Sequence, residues 1–197
     1  MTNRILLLGV VLTLLIISAA LILPDNNRST DQTAFAATPP VADEAQYIGV
    51  AQCVICHRTE AQGEQERIWR ESLHAYAFER LKEEQSVEIA QEMGIDTPPH
   101  EAEECLVCHA TGFDLPDERL GNRFNVEDGV QCETCHGAGS EYRAIHARDV
   151  EAGKERGLIV GRGDADRCIE CHNENSPTYK GFDFERDMEA IAHPVPD

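Results

Sequence analysis

The stretch Gly129-Val-Gln-Cys132-Glu-Thr-Cys135-His136-Gly-Ala-Gly-Ser140 decides the fold, because its centre is one of four Cys-x-x-Cys-His pentads that together use every cysteine in the chain. The others are Cys53/Cys56/His57, Cys105/Cys108/His109 and Cys168/Cys171/His172. Two thiols at this spacing add across the vinyl groups of a porphyrin, and the histidine directly after the second cysteine is then held under the ring with a nitrogen on the iron. Zinc knuckles and local disulfides also pair cysteines, but neither needs that histidine. With 8 histidines in 197 residues, finding one at this place four times by accident has a probability on the order of one in a million. The pentads predict four covalently bound haem c groups.

Working outward, residues 47–197 form one domain of about 150 residues, or roughly 38 per haem. Rings this large in so short a chain become the core. The expected fold is mostly α with long loops, a multihaem cytochrome c fold wrapped round a four-haem core, with almost no sheet. Residues 24–46, with Asn26, Asn27, Ser29, Thr30, Pro39 and Pro40, carry little to bury and read as a flexible linker.

Ahead of the linker, Arg4 precedes an uncharged, mainly apolar run of nineteen residues, Ile5 to Leu23. Residues 1–23 are a signal peptide or an N-terminal membrane anchor. The length favours an anchor, since signal-peptide apolar regions run 7 to 15 residues and a span needs about 20. Ala34-Phe-Ala36 resembles a cleavage site but lies well beyond the run. Arg4 would keep the N-terminus in the cytoplasm and send the domain to the periplasm, where haem attachment takes place.

The net charge is −19, and residues 1–36 contribute nothing to it, because Arg4 and Arg28 cancel Asp25 and Asp31. So acidic a domain excludes nucleic acid and anionic lipid surfaces as natural partners. It fits redox protein partners with a basic docking face, or equally the solubility of an exported protein.

Four irons with one axial histidine each leave four distal positions. Helix formers from Glu64 to Glu84, with Ile68, Trp69, Leu73, Tyr76, Ala77 and Leu81 at helical spacing, predict the longest helix of the chain with His74 at its centre. Ala75 and Ala77 let a flat ring come close to it, so His74 is a candidate distal ligand. A second helical piece spans about Val87 to Met93, and Asp96-Thr-Pro-Pro-His100 follows it. The segment after the second pentad reads as irregular as far as Gly129. Gly137 and Gly139 are expected to let the backbone pass close over a haem face. Ser140 is expected to cap a helix from Glu141 to Ala152 that carries His146, and a last helix runs from about Asp183 to Ala192, just before His193.

Trp69-Arg-Glu-Ser-Leu-His74-Ala-Tyr-Ala, Cys105-Leu-Val-Cys-His-Ala-Thr-Gly112 and the stretch quoted first resemble the tetrahaem cytochrome c-554 family, over about Gly49 to His193. The resemblance implies a loop-rich helical fold around two haem pairs in close contact. It implies His146 as distal ligand of the first haem, His74 of the third and His193 of the fourth. It leaves the second haem five-coordinate. The chain is shorter than the family between the fourth pentad and His193, and His100 has no counterpart there, so the second haem is either open or closed by His100. The metal-ligand set is then His57, His74, His109, His136, His146, His172 and His193. Methionine has only Met1, Met93 and Met188 to offer; paired histidines give lower potentials than histidine with methionine. No catalytic side chain stands out. The function this predicts is a periplasmic electron carrier passing single electrons between redox partners. The alternative is a small reductase or oxidase acting on nitric oxide or another small nitrogen compound at an open haem.

Overall fold

The computed structural model describes residues 44–195. The expected membrane segment 1–23 and nearly all of the linker 24–46 lie outside these residues. Nine α-helices of four to nine residues run through the described part: α1 Val50–Cys53, α2 Gln65–Glu71, α3 Ala77–Arg80, α4 Glu84–Glu92, α5 Glu103–His109, α6 Cys132–His136, α7 Val150–Lys154, α8 Ala165–Ile169 and α9 Phe184–Glu189. Turns and short 3-10 pieces join them. The nearest approach to sheet is one parallel bridge between Tyr47 and Leu120. The fold is mostly helical and loop-rich, as the pentads predict. Among the described residues no helix is long and apolar enough to cross a membrane.

Four of the helices belong to the pentads. A helical turn places positions i, i+3 and i+4 on one face, which is the spacing of Cys, Cys and His in each pentad. α5 and α6 end on the pentad histidine itself. The domain has little side-chain core to set against these turns. Ten apolar residues are buried, five of them alanine, and the most deeply buried large side chains are polar, Gln131 and Glu133. So thin an apolar core does not hold a domain of this size by side-chain packing.

Four expected helices come out differently. The Glu64–Glu84 helix is broken: α2 ends at Glu71, Ser72 is extended with φ −84° and ψ 157°, and the chain re-enters helix only at Ala77. The cause is tertiary. Trp69 Nε1 donates to Val130 O at 2.8 Å and Val130 N donates to His74 O at 3.0 Å. The chain before the third pentad thus takes the His74 carbonyl, and His74 sits in a turn. The Glu141–Ala152 helix is a run of separate turns followed by α7, which Asp149 caps by accepting from Ala152 N at 2.9 Å. Ser140 caps nothing; its Oγ accepts from Gln46 N at 2.9 Å and secures the start of the domain. The last helix shortens to α9, capped by Asp183. α4 begins three residues earlier than expected.

Candidate haem-binding site

The third pentad is tied to each of the other three. Towards the first, Glu133 accepts from Ile48 N at 2.9 Å, Gly49 N at 2.7 Å and Gly139 N at 2.7 Å, while Gln131 Oε1 accepts from Val50 N at 2.9 Å. Three successive backbone N–H groups at the start of α1 are therefore satisfied by the residues flanking Cys132. Gly139 has to be glycine for this, since a Cβ would lie 3.0 Å from Glu133 Oε1 and 2.9 Å from Ile48 Cδ1. Towards the second pentad, the Thr111 and Thr134 hydroxyls meet at 2.6 Å, and Thr111 Oγ1 also accepts from Gln131 N at 2.8 Å. Towards the fourth, Arg167 donates to Thr134 O at 3.0 Å and to Cys135 O at 3.4 Å.

The attachment thiols pair across the chain in the same pattern. Cys53 Sγ donates to Gly49 O at 3.8 Å, and the neighbouring Cys132 thiol pushes Cys53 up while Cys132 itself is pulled down. Cys171 Sγ donates to Val107 O at 3.9 Å, beside the Cys108 thiol, which it pulls down to about 7. The first and third pentads thus adjoin, as do the second and fourth. Cys56, expected beside Cys53 as an attachment thiol, is not drawn into this pairing. It is exposed, as Cys135 is, while Cys53 and Cys132 are partly buried. The reason is local: α1 ends at Cys53, and the chain carries on through turns in which Cys56 N donates to Cys53 O at 3.2 Å. Cys53 is partly buried and Cys56 exposed at the same turn, beside the open Ile55. Among the described residues no three His, Cys, Asp or Glu side chains converge on a bare metal ion, so the pentads do not fold into zinc knuckles.

The histidines face one another in pairs. His57 and His146 lie nearly parallel, 17° between planes, with centroids 5.7 Å and Nε2 atoms 3.5 Å apart. Two imidazole–metal bonds of about 2 Å span roughly 4 Å. His136 meets His193 at 5.8 Å and His172 meets His74 at 6.0 Å between centroids. The expected partners of two histidines are exchanged: His74 goes to the fourth pentad and His193 to the third. The tertiary bond between His74 O and Val130 N fixes where His74 lies, and spacing along the chain carries no trace of it.

Backbone carbonyls orient the rings. His136 Nδ1 lies 2.7 Å from Ile159 O, His146 Nδ1 3.1 Å from Tyr142 O and His109 Nδ1 2.6 Å from Ala77 O. A carbonyl only accepts, so each Nδ1 carries the proton and Nε2 keeps its lone pair for a metal. Phe182 stacks on His172 at 5.1 Å. Burial, reinforced by the facing histidine, pulls His57, His74 and His193 below the ordinary histidine range and keeps them neutral, the form that ligates.

His109 faces no histidine among the described residues. His100, half exposed, pairs with Glu101 at 3.6 Å. It stands at a 480 Å³ groove lined by Leu81, Val87, Ala90, Ile95 and Pro98. At the pentads, apolar side chains stand open: Ile55 49%, Val107 59% and Ile169 46% exposed, with Leu73 beside His74 at 74%. Flat apolar rings against these turns would cover them, and they supply the core that side chains do not. Residues and group fit. The linking residues Gln131, Glu133, Thr111, Thr134 and Arg167 were not anticipated from sequence. One signal for them was present: the third pentad alone has two polar residues, Glu133 and Thr134, between its cysteines.

The family described as "Cytochrome c554 and c-prime" matches residues 50–137. Cytochrome c-554 of Nitrosomonas europaea is 29% identical over 160 residues, covering 72% of this chain and 64% of that protein. The chain thus spans less than two thirds of the length of the curated relative it matches. No solved structure matches. The pentads, the facing histidines and this match agree on a c-type cytochrome with covalently bound haem, similar to the cytochrome c-554 family over residues 50–137.

Proposed function

We propose that this protein is a periplasmic tetrahaem electron carrier, with haem on all four pentads and His57/His146, His136/His193 and His172/His74 as axial pairs. The observation that carries the reading is the set of three facing histidine pairs on pentads that adjoin two by two. Bound haem supplies a reversible one-electron iron couple. The chain's own residues hold the axial nitrogens neutral and aimed, and the links among pentads fix the spacing between sites. The reading as a reductase or oxidase acting on a nitrogen compound is not favoured by the relative, which is named as a cytochrome.

On this reading the domain is 47–197, redox partners dock through a basic face, and residues 1–23 hold the protein at the inner membrane. N-terminal sequencing of native protein is expected to find the segment retained; a mature start at Ala37 overturns the anchor. Intact mass of protein matured in a host with haem-attachment machinery is expected to show four haems, and fewer overturns the count. His109 is left with an open distal position, supported by the lack of a facing histidine among the described residues and by the Glu101 contact of His100. Electron paramagnetic resonance of the oxidised protein is expected to give one high-spin haem in four, unchanged in His100→Ala. Four low-spin haems, one of them turned high-spin by His100→Ala, would sink the open site.

A further inference from the structure

Glu133 does more than join two pieces of chain. It is 1% exposed, and a carboxylate so deeply buried is ordinarily matched by a cation. Here the matching groups are three backbone N–H donors, from Ile48, Gly49 and Gly139. They solvate the carboxylate without cancelling its charge. Burial pushes its carboxyl up and the three donors pull the other way, with no Lys, Arg or His contributing. Gln131, two residues earlier and equally buried, does the same work as a neutral amide, accepting from Val50 N and donating to Asn125 O. Hydrogen bonding alone therefore does not account for an acid at position 133. Its charge is felt at both Cys53 and Cys132, where it disfavours the thiolates. These are the attachment atoms of the first and third haems.

A bis-histidine haem iron carries one more positive charge oxidised than reduced. A fixed negative charge in a poorly polarisable interior stabilises the oxidised form. At roughly 10 Å and an effective dielectric of about 20, one unit charge changes a one-electron equilibrium by more than tenfold.

We infer that Glu133 sets the potentials of the haem pair carried by the first and third pentads: its uncompensated buried carboxylate holds both irons towards the ferric state and biases electrons to the pair on the second and fourth pentads. This rests on the four-haem carrier reading, which intact mass tests independently of any potential.

The test is spectroelectrochemical titration of the full-length holoprotein. Glu133→Gln is expected to raise two of the four potentials by about 59 mV or more, a tenfold shift for one electron, and to leave the other two in place. Glu133→Asp, which keeps the charge, restores the lower values. Gln131→Leu loosens the same contact without changing charge and is expected to move the potentials far less. No shift in Glu133→Gln, or an equal shift in Gln131→Leu, overturns the assignment. Redox-difference infrared spectra of the wild type give a second readout that needs no variant. An ionised carboxylate band that shifts as the lower pair is reduced supports the inference, and a protonated carboxyl band in the oxidised protein refutes it.

Discussion

The surroundings of the third pentad and those of the second are built on opposite plans. Around Cys132–His136 the interior is polar and interlocked: a carboxylate, an amide, a pair of threonine hydroxyls and an arginine reach from one pentad to the other three. Around Cys105–His109 fewer side-chain hydrogen bonds reach across, although Ala102, Ala110 and Thr111 on its flanks are buried. His109 is steadied by one carbonyl, Val107 is 59% exposed, and residues 83–118 contain eleven acidic side chains and no lysine or arginine. One pentad is linked to all the others, and the other has an acidic stretch around it and a histidine that faces no second histidine among the described residues. A carrier needs both: a rigid region that fixes distances between redox sites, and an accessible one where a partner or small ligand arrives.

The contrast breaks most visibly by removing each attachment in turn. Cys132→Ala with Cys135→Ala is expected to cost more than about 5 kcal/mol, the upper end for losing one large buried side chain, and to abolish the folded domain. Cys105→Ala with Cys108→Ala is expected to lose one haem and keep three, read by intact mass and circular dichroism. Equal collapse of both would erase the distinction. A smaller lever is Gly129→Ala. The glycine has φ +73°, and a Cβ would lie 2.7 Å from His74 O. The substitution is expected to cost about 2 kcal/mol and to turn one haem high-spin by displacing His74, as His74→Ala does outright. An unchanged low-spin spectrum in His74→Ala removes that residue from the ligand set.

The smallest effect is with pH. His57, His74 and His193 are depressed in the folded state, so they bind fewer protons folded than unfolded. Their contribution to stability is complete above about pH 6.5, the ordinary histidine value, and is lost as pH falls through their lower folded values. Acid titration of the holoprotein is expected to leave the paired haems low-spin at about pH 6.5 and to turn them high-spin only well below it, because iron competes with the proton for Nε2. The His109 haem is expected to change less, because no such histidine faces it.

What could be read from the residues divides by mechanism. The pentads are local chemistry at fixed spacing, so attachment motifs, a thin apolar core and the lack of sheet were all legible. The difference between Cys53, turned inward, and Cys56, left at the surface, was not, because it depends on where α1 stops. His74, His146 and His193 were legible as candidates, and each does face a pentad histidine. Their partners were not all legible, because the turn at His74 is imposed by Val130, 56 residues away in sequence. Helix propensity gave one long helix from Glu64 to Glu84 for the same reason. Propensity sums over neighbours, and here a distant backbone N–H outweighs them.

The shortness of the helices also bears on how the molecule is made. Isolated helices below about 12 residues are marginal in water, and none of the nine is longer than nine residues. Before its prosthetic groups arrive, such a chain has no element able to persist alone. On the four-haem reading each attachment site stays open to its ring until it is loaded, so loading and folding are coupled, and the contact of Gly49 N with Glu133 forms only once chain 84 residues apart in sequence has been drawn together.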